Sequence, residues 1–179
     1  MQLPIIEAYG KAGFLKIKSA LAMDDKKDNY GKVVFSFVGT TGAKTSVDCY
    51  MDVFEFNMFM EDIHSGRMKE LVKAGKTYTS NYGGREEDGQ PVSRYFTISS
   101  STAADYYFCG MKFPAVKTDK GAFTPVKGKD PLCKISVPIS HAVFESRYEL
   151  WKELFRKYLE QNVTLERYKN NYQQAQVTT

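Results

Sequence analysis

The sequence lacks the features by which most enzymes and metalloproteins are recognised. Its 179 residues include two histidines, three cysteines and one tryptophan, and neither histidine has a cysteine or carboxylate partner at metal-ligand spacing. Motifs typical of phosphate-binding loops, zinc proteases, dinucleotide-binding folds and nucleophile elbows are absent. We therefore expect no metal, no cofactor and no enzymatic activity.

The sequence also lacks any run of about eighteen apolar residues, the length that a membrane span requires. Residues 1–7 have neither the basic nor the apolar region of a signal peptide. Cys49, Cys109 and Cys133 are odd in number and far apart, which favours reduced thiols over a disulfide framework. These observations predict a soluble, cytoplasmic protein with no membrane partner.

Aromatic residues are plentiful and the charge is unevenly distributed. Twelve tyrosines, twelve phenylalanines and 42% hydrophobic residues are typical of a globular, strand-rich domain with a substantial core. The net charge is +4. Up to residue 75 the chain has ten basic and ten acidic residues, whereas the remainder has fifteen and eleven. The basic excess therefore lies in the second half.

Residues 12–75 read as three strands followed by a helix. Period-two alternation covers Gly13–Met23, Lys32–Val38 and Lys44–Met51. Asp52, with Glu55 three residues later, has the spacing of a capping box before an apolar-periodic run. This pattern predicts an amphipathic helix, interrupted at Ser65-Gly66.

Residues 76–162 repeat the pattern with up to four strands. Strand-like runs include residues 77–82, 93–101, 105–113 and 132–137, and residues 83–91 are polar enough to predict a long hairpin loop. Ser140 is the predicted N-cap of a second amphipathic helix carrying Phe144, Tyr148 and Trp151. We predict one α+β domain over residues 1–162, built of duplicated strand-and-helix halves with antiparallel sheets, and a tail or frayed helix over 163–179.

The segment from Lys112 to Lys134 concentrates the basic excess around aromatic rings. Lysines neutralise phosphates and exposed rings stack on unpaired bases, so this hairpin is a candidate nucleic-acid-binding surface; the alternative is a solvated loop. We select from it Lys112, Lys117, Lys120, Phe123, Lys127 and Lys129.

The predicted strands supply a second group of candidates. A sheet covered by helices on one face has another face that is solvated or binds a ligand, and mixtures of basic and aromatic side chains suit stacking of bases. Tyrosine is also an ordinary outward-facing strand residue. The candidates are Lys16, Lys18, Lys32, Tyr50, Tyr78, Arg94, Tyr95 and Tyr106.

Two strand groups, each ending in a helix that begins near Asp52 or Ser140, resemble the fold of Whirly and related coactivator-type single-stranded-DNA-binding proteins. Lys127-Gly128-Lys129 is similar to the Lys-Gly-Lys element of plant Whirly proteins, although Asp130 follows it instead of alanine. The resemblance implies two antiparallel sheets packed across one another, helices that mediate homo-oligomerisation, and sequence-tolerant DNA binding along the sheets.

Together these observations predict a non-catalytic protein that binds single-stranded nucleic acid, with single-stranded DNA as the favoured partner. The alternative is a structural or protein-interaction accessory protein, for example of a phage or mobile element, that buries its aromatic helix face against a partner.

Overall fold

The first half of the chain forms a four-stranded antiparallel sheet. The structure, a computed structural model, describes residues 3–20, 31–40, 45–81, 83–119 and 121–162. Neighbouring strands pair in sequence order. The strands are β1 (Leu3–Tyr9), β2 (Gly13–Ala20), β3 (Lys32–Gly39) and β4 (Ser46–Asp52).

Strand β1 lies outside the predicted first half, which began at residue 12. Ile5, Ile6 and Ala8 are buried, and a register irregularity between Pro4 and Ile6 breaks the simple alternation. Because a bulge shifts which side chains face the core, the segment does not show the period-two pattern of a strand. The three predicted strands are confirmed, while the predicted charged turn at 24–29 lies outside the described residues.

Two helices follow the first sheet. Helix α1 spans Val53–His64 and begins with the predicted capping box, in which Asp52 accepts from the backbone of residue 54 at 2.9 Å. Glu55 in turn accepts from the Asp52 amide at 3.3 Å. Gly66 then adopts a left-handed conformation, with φ of 80°, which ends α1 and allows α2 to start at once as Arg67–Lys73.

The second half forms a six-stranded sheet with the order β10-β8-β7-β5, in which β6 pairs with β7 and β9 with β8. All described pairings are antiparallel. The strands are β5 (Tyr78–Thr79), β6 (Gly83–Glu87), β7 (Gln90–Ser99), β8 (Tyr106–Lys117), β9 (Phe123–Pro125) and β10 (Cys133–Ile139).

The prediction of a loop over residues 83–91 is wrong, because most of this segment forms a paired hairpin. Residues Asp88 and Gly89 have φ values of 49° and 74°, as in the tight two-residue turns that join twisted antiparallel strands. Aspartate and glycine both tolerate this conformation better than most residues. The polar composition of the segment reflects an exposed edge strand, not the absence of regular structure.

Helix α3 (His141–Asn162) covers the core with the predicted aromatic stripe. Phe144, Tyr148 and Trp151 are buried, and α3 packs against α1 and β1. None of the three described helices has the length and apolar character of a membrane span. The predicted tail or frayed helix over 163–179 lies outside the described residues.

The two sheets share one core and cross each other. Phe35 of the first sheet stacks on Phe96 of the second, with ring centroids 4.4 Å apart. The ring of Phe37 lies directly against Gly110, where any Cβ atom would overlap with it. Strand β10 contacts each of the four strands of the first sheet. Since neighbouring strands are roughly 4.8 Å apart, β10 runs across that sheet and not along it.

The three thiols are free, as predicted, although Cys133 is only half-buried. Burial raises the pKa of Cys49 to about 12. Cys49 therefore stays protonated and unreactive at neutral pH in the folded protein.

Asp105, and not the predicted Ser140, provides the side chain that caps α3. Its carboxylate accepts from the His141 amide at 2.7 Å and pairs with Lys69 of α2 at 2.7 Å. The hydrogen bond from Lys69, together with the His141 amide, lowers the pKa of Asp105. A cap supplied from the loop before β8 joins three elements that are distant in the sequence.

We expect Asp105→Asn to lower the free energy of unfolding by roughly 1–2 kcal/mol at neutral pH, because the charged hydrogen bonds to the helix end and to Lys69 are weakened. A lowered carboxyl pKa stabilises the fold above the unfolded-state pKa and ceases to do so as pH falls through the folded-state value. The difference between the two proteins in urea unfolding should therefore shrink below about pH 4. A difference independent of pH would contradict this assignment.

Candidate nucleic-acid interface

The face of the second sheet that points away from the first sheet and the core carries a group of exposed or half-buried rings. We call the side chains of β7, β8 and β9 on that side the outer face. Tyr107 is 39% exposed. The rings of Tyr95 and Phe113 are stacked, with centroids 5.5 Å apart and planes 7° apart. The large side chains of the outer face are Tyr95, Tyr107, Met111, Phe113 and Phe123.

Strand alternation places these residues outward. Within β8, Tyr106 and Phe108 are fully buried, so Tyr107 between them points to the opposite side. Cross-strand register then aligns Tyr107 with Ser99, and Met111 with Tyr95. The same strand thus supplies both the core and the outer face.

Gly84 of β6 makes room for Phe123. A Cβ atom on residue 84 would overlap with the Phe123 side chain and with the carbonyl oxygen of Val92. Because residue 84 has no side chain, the Phe123 ring lies over the β6 backbone and extends the outer face to the sheet edge. From the sequence, the importance of a glycine at residue 84 could be recognised only if β6 were already known to be a strand.

Lysines border the outer face on the side of the β8–β10 connection. Lys117 lies 5.7 Å from the centroid of the Phe123 ring and 3.7 Å from a carboxylate oxygen of Glu86. Gly128, with φ of 74°, turns the backbone between two exposed lysines. The lysines on this side are Lys117, Lys127, Lys129 and Lys134.

Arg94 and Lys112 do not lie on the outer face, and the exposed position expected for Arg94 is wrong. Arg94 is 7% exposed and forms an ion pair with Glu87. The Glu87 carboxylate also accepts from Lys112 at 3.1 Å and from Arg85 at 3.0 Å. Residues 92, 94, 96 and 98 of β7 are all buried, so alternation turns Arg94 to the side opposite Tyr95. We call Arg85, Glu87, Arg94 and Lys112 the Arg94 cluster.

The expected outward positions of Tyr78 and Tyr106 are also wrong. Tyr106 is fully buried, its hydroxyl lies 3.0 Å from His141 Nδ1, and burial raises its pKa to about 12. Tyr78 is half-buried and packs on Phe59 and Phe96, and burial raises its pKa. Tyr106 is part of the core and Tyr78 packs against it, so neither ring lies on the outer face. Lys120 lies outside the described residues.

The first sheet presents a separate outer surface on the opposite side of the core. Its basic groups are largely balanced by acidic neighbours: Lys16 lies 3.0 Å from Glu7, and Lys32 lies 3.6 Å from Asp52. Such pairs reduce the positive potential available to a polyanion. The predicted binding residues on this surface are Lys16, Lys18, Lys32 and Tyr50.

A cleft of about 290 Å³ opens between β4, α1 and β5. The residues that line the cleft include Tyr50 and Met58 and the acidic residues Glu55 and Asp62. Its acidic lining disfavours a phosphate. Among the described residues no group of three histidine, cysteine or acidic side chains is arranged to hold a metal ion.

The fourteen residues predicted to bind nucleic acid therefore lie in several different parts of the structure. Tyr95, Lys117 and Phe123 meet at the outer face, with Lys127 and Lys129 on the adjoining connection. Sequence reasoning missed Tyr107 and Met111, and it did not select Phe113 or Lys134, although both lie in the segment from Lys112 to Lys134. The error concerned which residues of β8 point outward. Because Tyr106 was predicted to face outward, the alternating pattern of inward and outward side chains was shifted by one residue.

We expect Gly84→Ala to destabilise the protein by about 1–3 kcal/mol, because the added methyl group overpacks the contact with Phe123. Gly83→Ala is the matched control, since the nearest atom to its Cβ is 3.9 Å away; this variant should be neutral or slightly stabilising. Urea unfolding measures both. Equal effects would show that Phe123 does not pack on residue 84.

Geometry and charge alone define the outer face and its bordering lysines. Comparisons of the chain with protein-family models, with curated proteins and with solved structures found no match. The chemistry of the named side chains is therefore the basis for proposing a function.

Proposed function

We propose that this protein binds single-stranded nucleic acid on the outer face, with little sequence preference and with single-stranded DNA as the favoured partner. The observation that carries the proposal is that the Tyr95–Phe113 stack and the exposed Tyr107 lie on the same face of the second sheet, with lysines bordering the end of that face that carries Phe113. Aromatic rings accept the flat faces of all four bases, and lysines neutralise phosphates without reading sequence. The preference for DNA over RNA rests on the Whirly resemblance.

The arrangement of the outer face favours a single strand over a duplex. Its rings can stack only on bases whose faces are uncovered, and in a duplex these faces are occupied by neighbouring base pairs. The lysines on the β8–β10 connection lie beside the rings, where a backbone would pass while its bases stack. Binding requires no catalytic group, and we propose a non-enzymatic role.

A Whirly-like architecture of duplicated units is part of the same proposal. In its support, each sheet is followed in the sequence by a long helix, α1 or α3, and β10 crosses the first sheet. We also propose a homo-oligomer. Phe54 and Met58 on α1 are 50% and 68% exposed, and apolar side chains at such positions are commonly covered by another subunit.

The same exposed side chains favour a second candidate function, that of a structural or accessory protein. Phe54 also contacts Phe155 of α3, with ring centroids 5.7 Å apart, so the apolar surface spans both helices. A protein partner docked there would leave the outer face free. Nucleic-acid binding and partner binding would then depend on different residues.

We expect fluorescence anisotropy to detect binding to an unstructured DNA oligonucleotide at low salt, with weaker binding to a duplex. If three or four lysines neutralise phosphates, a plot of log K against log salt concentration should have a slope of roughly −2 to −3. No binding at low salt, or equal affinity for a duplex, would refute the proposal.

The double variant Lys127→Glu, Lys129→Glu serves the same experiment. It should weaken binding and flatten the salt dependence by more than one unit of slope, because about 0.7 is lost for each contact. Lys73→Glu with Lys76→Glu is the control, since both lysines are exposed near the end of α2 and the charge change is identical. A protein partner bound through the helices would be retained by the first variant.

We expect Tyr107→Ala to reduce affinity for single-stranded DNA by about fivefold or more, because stacking on a ring contributes roughly 1–3 kcal/mol for each base. Tyr9→Ala is the control: Tyr9 is 68% exposed on the first sheet. Both tyrosines are exposed, so neither change should unfold the protein. An equal loss in the two variants would contradict the choice of the second sheet.

A further inference from the structure

The Arg94 cluster holds more positive charge than its own carboxylate neutralises. Among the described contacts, Glu87 is shared by the guanidinium groups of Arg85 and Arg94 and by the ammonium group of Lys112. Three cations and one carboxylate leave a formal excess of two charges. Asp48 of the first sheet is near enough to favour the charged form of Arg94 electrostatically, but the described contacts include no ion pair between them.

Part of this cluster is buried and incompletely hydrogen-bonded. The Arg94 side chain is 9% exposed, and its Nε atom is buried without a hydrogen-bond partner among the described residues. A buried donor without an acceptor is costly and uncommon. Burial, followed by repulsion from Arg85, lowers the pKa of Arg94. The cluster thus has an unfilled requirement for an anionic acceptor.

The surroundings leave room for such an acceptor. Gly83 lies opposite Arg94 in the β6–β7 register and has no side chain to cover it. Arg85 is 66% exposed, so one of the three cations already faces solvent. Glu87 itself is the last residue of β6 before the two-residue turn, and β6 pairs with β7 alone among the described strands.

We propose that the Arg94 cluster is a phosphate-binding site in which Glu87 occupies the place of the phosphate. A phosphate group offers several oxygens to guanidinium groups, as a carboxylate offers two, and matches the planar donor pairs of arginine. On binding, its oxygens replace those of Glu87 as acceptors for Arg85, Arg94 and Lys112, and the hairpin tip moves away.

The source of the phosphate rests on the proposed function: a backbone phosphate of the bound strand is the ligand. The cluster lies on the side of the sheet opposite the outer face, at the edge strand β6. The bound strand would therefore reach it by passing from the outer face around the β6 edge, where Arg85 is exposed. Glu87 would then lower the affinity of the site for isolated anions and favour ligands with several closely spaced phosphate groups. Free inorganic phosphate is the other source, and the experiment separates the two.

The first arm uses inorganic phosphate and the full chain. Glu87→Gln removes the competing charge, and Asp88→Asn is the matched control in the same turn, since asparagine also tolerates the positive φ of 49° at residue 88. Thermal unfolding in phosphate and in chloride of equal ionic strength should show a larger phosphate-induced rise in Tm for Glu87→Gln than for Asp88→Asn. Comparing the two variants cancels the general stabilising effect of phosphate, which acts on both. Equal phosphate-induced rises in Tm would show that the Arg94 cluster is not a phosphate-binding site.

The second arm measures the affinity for a single-stranded oligonucleotide as a function of salt. Glu87→Gln should bind more tightly than Asp88→Asn, because the phosphate no longer has to displace a carboxylate, while the salt slopes of these two variants should be similar, because the phosphate contacts are the same. Arg85→Gln, at an exposed position that does not depend on core packing, should flatten the slope by about 0.7, since one phosphate contact is lost. Equal affinities of Glu87→Gln and Asp88→Asn together with an unchanged slope in Arg85→Gln would overturn the strand as the source of the phosphate.

The outcomes distinguish this inference from the proposed function. If the wild-type chain binds the oligonucleotide but Glu87→Gln gains nothing over Asp88→Asn in either arm, the inference is wrong and the proposed function stands. If no form binds an oligonucleotide while phosphate specifically stabilises Glu87→Gln, the proposed function fails and free phosphate is the ligand. Should Glu87→Gln unfold in chloride, recovery of its folded signal in phosphate supports the site, and failure to recover refutes it.

Discussion

The close contact between the two sheets is the constraint on which the remaining structure depends. Phe35 stacks on Phe96, and Phe37 occupies the space that a side chain at Gly110 would fill. Such ring pairs contribute roughly 0.5–1.5 kcal/mol beyond the burial of their area. Their larger effect is geometric, because they bring the inner faces together and thereby decide which side chains of every strand point outward. The half-buried stack of Tyr95 and Phe113 points outward for the same reason that Phe96 is buried.

The helices extend this contact into a continuous aromatic core. Phe59 of α1 meets Phe35 of the first sheet and Phe108 of the second, and Phe144 of α3 stacks on Phe108. A change in one sheet is therefore transmitted to both helices. The rigid interior contrasts with the outer face and the Arg94 cluster, where charge and exposure change over a few residues of β6 and β8. Core packing and the proposed outer face thus use different sides of the same strands.

Local patterns in the sequence predicted those elements whose signals are short-range. The capping box at Asp52, the break at Gly66 and the aromatic stripe of α3 depend on spacing within one or two turns, and all are present. Failures arose where a distant residue decides the outcome. Asp105 caps α3 from another element, a bulge hides the periodicity of β1, and Arg94 is buried only because β7 faces the first sheet. No local pattern contains that information.

In the candidate site, too, local sequence patterns predicted some features, and others depended on distant residues. Composition singled out the lysines and rings between residues 112 and 134 as candidates, yet the face on which each side chain lies required knowledge of the sheet. In β8 a shift of one residue exchanged Tyr106 for Tyr107, since side chains alternate between faces. Assigning the polar hairpin to a loop concealed Glu87, whose contacts with Arg94 and Lys112 arise from pairing of β6 with β7.

The crossing of β10 over all four strands of the first sheet has a consequence for the order of folding. During synthesis the first sheet emerges early, but the part of its inner face that β10 covers remains uncovered until residues 133–139 are available. The many contacts between distant parts of the chain imply slow closure compared with a protein built from local contacts. A nascent chain would leave this part of the inner face exposed for much of its elongation, which makes this stage the one most open to chaperones and to aggregation.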